Sequence, residues 1–282
     1  MKLKLFSLII LVLFVIASCE QVTTVEIDPD NTKKIAVECL LTSEYKFQTV
    51  KITRPFYEIG QLPEGVLDAQ VIISDSRKKY IFAPDSDSSG LYVSEIRFAA
   101  ILKEEYNLQI ILGKDTFAAQ SSLIAVTPIG PVPLKPSWRT DSLFMIDNAF
   151  VSSEEAMWEV VIDWSGLDFE NDGRDSVKLY YYTFNTIDVN QVFAPNKEII
   201  EFPIGAKLRV KKYALTSDHA KYYRAVLSEV EWSGGFFDVS PANIPTNISN
   251  DAVGYFGACT VTEDSILVQY SSDKELVRTK IR

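Results

Sequence analysis

From Lys34 onward the apolar side chains fall on every second residue, in short runs separated by turn residues, and this period points to β structure throughout. Residues 34–42 and 47–53 alternate, and 69–74 carries Val71, Ile72 and Ile73. Asp75-Ser76-Arg77-Lys78 reads as a turn, and runs at 79–83 and 91–96 flank a polar loop at 84–90. Runs at 106–112 and 116–119 flank Gly113-Lys114-Asp115, a hairpin signal. Short strands at regular spacing, uninterrupted by a helix-period run, predict an immunoglobulin-like β-sandwich over residues 34–126.

Residues 127–136 read Thr-Pro-Ile-Gly-Pro-Val-Pro-Leu-Lys-Pro, and four prolines in ten residues predict a semi-rigid, extended linker. A second β-rich domain is expected over 137–282, with runs at 142–146, 157–164, 177–187, 206–213, 253–261, 265–270 and 276–281. Tyr180-Tyr181-Tyr182 places aromatics on both faces of its strand, as in a strand covered on two sides. The period changes once. Tyr223, Val226, Leu227 and Val230 recur at helical spacing and predict one amphipathic helix near 217–231, with Ser217 as N-cap and Asp218 in the first turn.

What precedes Lys34 has another character. Residues 1–18 carry Lys2 and Lys4, then an apolar stretch from Leu5 to Ile16, then Ala17-Ser18 before Cys19, the layout of a secretory signal peptide. The apolar stretch is shorter than the roughly 20 residues that span a bilayer. An aliphatic residue, two small ones and a cysteine resemble the bacterial lipobox, so Cys19 is the expected lipidation site, an N-terminus bearing palmitate-type chains. Residues 19–33 are polar and acidic and read as a tether of at most about 45 Å.

Loss of residues 1–18 removes two lysines and no acid, so the net charge of −10 becomes −12 over the remaining 264 residues. That balance excludes a nucleic-acid partner, which needs clustered Lys and Arg, and a polybasic grip on anionic lipid. The acyl chains are left as the membrane grip, each buried CH₂ contributing about 0.8 kcal/mol. Cys39 lies on the strand face of Ile35, Val37 and Leu41 and reads as a buried, inert thiol; whether it pairs with Cys259 stays open.

Catalytic and metal chemistry finds few supports. His219 is the single histidine, it stands at the helix start as a surface residue, and no nucleophile elbow accompanies it. One His and two distant Cys do not build a zinc set, and neither a phosphate loop nor a dinucleotide fingerprint is present, so no cofactor is expected. The loops opened by Asp85 and Asp168 have the oxygen rhythm of calcium loops, but Ile96 and Leu179 stand where a bidentate Glu belongs. Polar hairpin loops are the expectation there, with calcium left open. Asp141-Ser142-Leu143, Asp175-Ser176-Val177 and Asp264-Ser265-Ile266 are similar to the O-glycosylation acceptor of Bacteroidetes envelope proteins, and strand-initiating turns account for them equally well. Trp232, Phe236 and Phe237, on a Gly-rich turn, are the candidate partner contact; they either anchor a partner or tuck under the helix or into the domain junction.

Residues 237–259 read FDVSPANIPTNISNDAVGYFGAC. Here the chain resembles the Bacteroidetes lipoprotein family known as domain of unknown function 4249. Pro241, Asn243, Asn247, Ile248, Gly254, Tyr255, Phe256 and Gly257 fall where that family's run places them, and Cys19-Glu20 and Gly90-Leu91-Tyr92 extend the likeness. The chain departs at Lys103-Glu104-Glu105-Tyr106, where a glycine is expected before the tyrosine. Physically, the Pro/Asn run delivers the chain into a strand, and Gly254 and Gly257 permit close backbone approach. The resemblance implies a lipoprotein of the outer membrane, at the cell surface or facing the periplasm, in the company of a TonB-dependent transporter. The expected function is a non-enzymatic accessory or binding module. A stand-alone glycan- or peptide-binding lipoprotein is the alternative, followed by a surface hydrolase using paired carboxylates, for which 38 acids offer many unspecific pairs.

Overall fold

The computed structural model describes residues 34–55, 62–87, 89–140, 142–147, 150, 152–169, 173–186, 199–231, 243–270 and 276–280, with backbone alone for 270 and 276–280. Cys19, the tether to Lys33, and Trp232, Phe236 and Phe237 lie outside the described residues. Residues 34–282 form one compact unit. In chain order its strands are β1 (Ala36–Thr42), β2 (Thr49–Thr53), β3 (Gln70–Ser74), β4 (Lys79–Pro84), β5 (Leu91–Ser94), β6 (Glu105–Leu112), β7 (Asp115–Ser122), β8 (Leu134–Pro136), β9 (Leu143–Ile146), β10 (Ala156–Asp163), β11 (Ser176–Thr183), β12 (Phe202–Pro203) and β13 (Lys207–Ala214). Helix α1 (Ser217–Val230) follows, then β14 (Val253–Cys259), β15 (Val261–Tyr270) and β16 (Leu276–Lys280). The chain is therefore mainly β with one helix among the described residues.

The alternating runs make the first sheet as their period requires. In β6, Tyr106, Leu108 and Ile110 are buried while Asn107 and Gln109 face out. The turns are those expected: Asp75 Oδ1 accepts from the Arg77 and Lys78 amides, both at 2.8 Å, and Leu112 pairs Asp115 around Gly113-Lys114. Pairing runs unbroken through eight strands in the order β14-β1-β2-β5-β4-β3-β6-β7, a nearly closed sheet. The sheet curls until its outer strands approach, with Ser249 N–H donating to Ala118 O of β7 at 2.9 Å. One core fills it, from Ile35 and Val37 through Tyr92, Phe98 and Phe117 to Ile248 and Phe256. Burying each large apolar side chain is worth about 1.5–3 kcal/mol.

A five-stranded sheet, β11-β10-β13-β15-β16, and a three-stranded one, β12-β9-β8, make the remainder. Phe144 of β9 and Phe202 of β12 pack with Trp158, Val160 and Ile162 of β10 in a second core. The Pro-rich stretch belongs to this layer: Val132 is buried, Ile129 and Leu134 pack on the core, and β8 lies inside it. On the other face of the five-stranded sheet a third cluster gathers Met157, Tyr213, Leu215, Ala220 and Cys259. Tyr181 joins the second core and Tyr182 the third, so the triple tyrosine does serve both faces, although β11 is an edge strand.

Three connections join the first sheet to the others. One is the Pro-rich stretch, and a second runs from β13 through α1 to β14. At the third, β14 belongs to the first sheet and β15 to the second, with only Thr260 between them. This break falls earlier than the sequence pattern predicts, and it puts Asp264-Ser265 inside β15 instead of at a strand start. Ser142 directly precedes β9 and Ser176 opens β11, as a turn-to-strand signal does.

Candidate functional site

The stretch that carries the family resemblance sits at this crossing. β14 pairs with β1 in parallel, Ala36 opposite Val253 through Thr42 opposite Cys259. Its side chains alternate between two layers: Phe256 and Ala258 enter the first core, and Cys259 faces α1 in the third cluster. Gly254 has φ +98°, and a Cβ there would stand 2.0 Å from Val37 O. Gly257 is required for a different reason, since a Cβ would lie 2.2 Å from the His219 ring.

His219 is 3 % exposed, which overturns its reading as a surface polar residue. Its ring lies between Tyr255, 4.8 Å away and inclined by 10°, and Tyr223, at 4.7 Å and 27°. Tyr222 extends the stack beyond Tyr255, and Tyr182 and Phe184 extend it beyond Tyr223. Burial lowers the imidazole to about 3, so it is neutral in the stack. Cys259 Sγ lies 3.8 Å from His219 Nδ1, and burial pushes that thiol up. A neutral imidazole beside a neutral thiol is a packed pair, not an activated nucleophile. The cap is Thr216, whose side chain accepts from His219 N–H at 3.4 Å, and not Ser217. The buried stripe is also displaced from the predicted one, to His219, Ala220, Leu227 and Ser228, and Val230 is 66 % exposed.

Asn247 closes the first sheet. Its Nδ2 donates to Phe256 O at 2.8 Å and to Gln120 O at 3.2 Å, and its Oδ1 accepts from Phe256 N–H at 2.9 Å. One amide thus bridges β14 and β7, and Ile248 beside it plugs the core. Ser249 adds a bond from Ala118 N–H to its Oγ at 2.8 Å. Asn250 and Asp251, at φ 60° and 58°, turn the chain into β14. At the departure from the family pattern, Lys103 takes φ 67°, so a lysine holds the left-handed turn that suits glycine.

Cys39 pairs across from Phe256 and points into the first core, whereas Cys259 points into the third; both are free and face opposite sides of the sheet. In the Asp85 loop, Asp87 Oδ1 accepts from Ser89 N–H and Oγ at 3.0 and 2.6 Å, so it turns back into its own hairpin. Residues 170–172 of the Asp168 loop lie outside the described residues, and among those described no three His, Cys, Asp or Glu groups are placed to hold a metal ion.

Two half-buried carboxylates, Glu44 and Glu154, and the buried Glu201 are committed to partners. Glu44 binds Lys211 and Lys46; burial alone would raise its carboxyl, but the bonds from Lys211 and then Lys46 outweigh this and hold it at about 2. Glu154 meets Lys212 at 2.7 Å, and Lys212, 1 % exposed, also bonds Thr127 at the start of the Pro-rich stretch. Glu201 accepts from Ser137 Oγ and pairs with Arg139 at 3.3 Å.

Two kinds of surface are left for contact. A shallow concavity of about 540 Å³ on the outer face of β3, β6 and β7 is lined by Ser74, Lys79, Asn107, Gln109, Gln120 and Asn247. Its amides suit hydroxyl-rich or peptide groups, and no carboxylate lines it. The second kind is exposed aromatic: Trp138 at 78 %, Tyr45 at 73 % and Phe47 at 44 %.

The fold and this crossing define a mainly β protein in which two successive strands, β14 and β15, one residue apart, belong to different sheets. The chain belongs to the family described as domain of unknown function (DUF4249), whose model matches residues 21–265. No curated protein matches it.

Proposed function

We propose that this is a lipid-anchored, non-enzymatic binding module of the outer membrane, acting as an accessory to a TonB-dependent transporter. The observation that carries the reading is the run from Lys2 to Cys19, where charge, apolar stretch, small residues and cysteine follow in the order that lipid attachment needs. The chemistry is consistent with it. The histidine is neutral and stacked, and Glu44, Glu154 and Glu201 are each held by a cation, so a paired-carboxylate hydrolase finds no support among them. In this reading the curled sheet works as an immunoglobulin-like sandwich, with β14-β1-β2-β5 facing β4-β3-β6-β7 across one core.

Metabolic labelling with an alkyne palmitate tests the anchor. The expected result is a labelled chain in the outer-membrane fraction that Cys19→Ala leaves unlabelled and soluble; an unlabelled native chain would end the proposal. Affinity purification from detergent-solubilised outer membranes tests the accessory role, and recovery without any barrel protein would count against it. The amide-lined concavity favours a second reading, glycan or peptide binding by the chain alone. Calorimetry of the full chain with cellohexaose and with a glycine-rich hexapeptide checks it, and loss of any heat in Asn107→Ala/Gln109→Ala would place the ligand there.

A further inference from the structure

Five exposed apolar side chains come from two loops that are built against each other: Tyr45 and Phe47 from the β1–β2 loop, and Ile96, Ile101 and Leu102 from the β5–β6 loop. Lys46 and Phe98 bridge the loops, Phe98 N–H donates to Lys46 O at 3.0 Å, and Ala100 N–H donates to Thr42 O at 3.0 Å. The double loop is fixed from inside by a buried glutamine. Gln48, 1 % exposed, accepts from Thr42 N–H at 3.1 Å and donates to Thr42 O, Glu44 O and Phe98 O at 3.0–3.1 Å. Phe98 in turn stacks on Tyr80 at 3.7 Å. The second sheet holds the loop from the side, through Lys211 on Glu44.

A buried amide is tolerated only when its hydrogen bonds are satisfied. Here they are, and what they hold rigid is an outward-facing pair of aromatics. Arg97 covers the Phe47 ring at 5.1 Å and, among the described residues, has no carboxylate partner. Among the described residues Lys103 lacks one as well. Rigid Tyr and Arg side chains around an apolar centre are what carry affinity in protein interfaces, because little entropy is lost on docking.

We propose that this double loop is the docking surface for another polypeptide, one that presents an apolar surface with a carboxylate for Arg97. The proposal rests on the accessory-module reading and names the surface that module uses. Arg97, with no carboxylate partner among the described residues, favours a partner that brings a carboxylate to this patch, and the net charge of −10 disfavours an anionic bilayer as the occupant.

The test places the photocrosslinker benzoylphenylalanine at position 45 or 47 of the full chain in the cells that make it, with position 81 as control. Ile81 is 50 % exposed on β4. The expected result is one discrete adduct from 45 and 47, absent from 81, whose second polypeptide is sequenced and crosslinks through an acidic segment. Arg97→Glu is expected to lower its yield and the affinity of the two purified proteins about tenfold, and a Lys in place of the partner's acid to restore both. Adducts only with lipid, only with a second copy of this chain, or equal at 81 would overturn the proposal. Because Tyr45 and Arg97 are exposed, an unchanged unfolding midpoint separates lost docking from lost folding. Palmitate labelling is read on the same cells, so a failed dock on a labelled chain refutes this surface alone.

Discussion

The two larger sheets both end in strands whose edges must be managed, and they do so in different ways. In the first, β14 and β7 are drawn together by one side-chain amide and a serine, Asn247 and Ser249, which make the hydrogen bonds another strand would make. In the second, β11 and β16 stay at the edges, and stability comes from covering the faces, with β8, β9 and β12 on one side and α1 on the other. Closure concentrates the sheet's integrity in a few atoms. Face covering spreads it over many van der Waals contacts, none decisive. The first sheet should therefore fail at single points where the second tolerates change.

The largest effect should come from Gly254→Ala. With φ +98° and a backbone oxygen 2.0 Å from the new carbon, β14 must leave β1, and a loss of about 3–4 kcal/mol is expected in urea unfolding. A change under 1 kcal/mol would show that the crossing is not rigid. Gly257→Ala comes next, at about 2–3 kcal/mol, because the obstacle is the His219 ring and not backbone. Adding His219→Ala should cost less than the sum of the two single changes, by about 1 kcal/mol; strict additivity would dissolve the proposed contact.

Asn247→Ala removes three bonds across the closure and should cost about 2 kcal/mol. Amide hydrogen exchange should then rise in β7 and β14 while β10 and β13 stay protected. Acid offers a smaller and graded contrast. Burial lowers folded His219 to about 3 against an ordinary 6.5, so its contribution is full above 6.5 and is lost as pH falls toward 3. Glu44, held at about 2 against 4.5, is lost lower, as pH falls from 4.5 toward 2. The stability gap between the native chain and Glu44→Gln should accordingly be constant from pH 7 to 5 and close below 4. At the far end of the scale, Tyr180→Ala on the edge strand β11 should cost no more than about 1 kcal/mol, since Tyr180 is 39 % exposed. A larger loss would mean that the edge of the second sheet matters as much as that of the first.

Local features could be read from the chain. Alternation located β6 and β7, the Asp75 turn and the Gly113 hairpin follow from residue type, and the helical period falls on α1. Gly254 and Gly257 were legible as close approaches, but not what they approach: Val37 comes through the β1–β14 pairing and His219 through the packing of α1 on β14. His219 itself gave no signal, because a polar residue near a helix start looks like surface until Tyr223 and Tyr255 enclose it. Closure was hidden for the same reason. Asn247 and Gln120 stand 127 residues apart, and no period or turn rule links them. The double loop of Tyr45 and Phe47 escaped too, since its rigidity depends on Gln48 reaching Phe98, 50 residues on.

The parallel pairing of β1 with β14 bears on the order in which the molecule is made. β1 is among the first segments to leave the ribosome, and its neighbour on one side is Val253–Cys259. At ~5–20 residues per second, the intervening stretch from Thr127 to Ala252 takes on the order of ten seconds to synthesise. Throughout that time β1 has a bare edge and the first core lacks Ile248 and Phe256. Nascent β1–β7 is thus a template for wrong strands, and a chain cut within the Pro-rich stretch should aggregate instead of folding to a smaller sandwich. The first sheet begun is among the last completed.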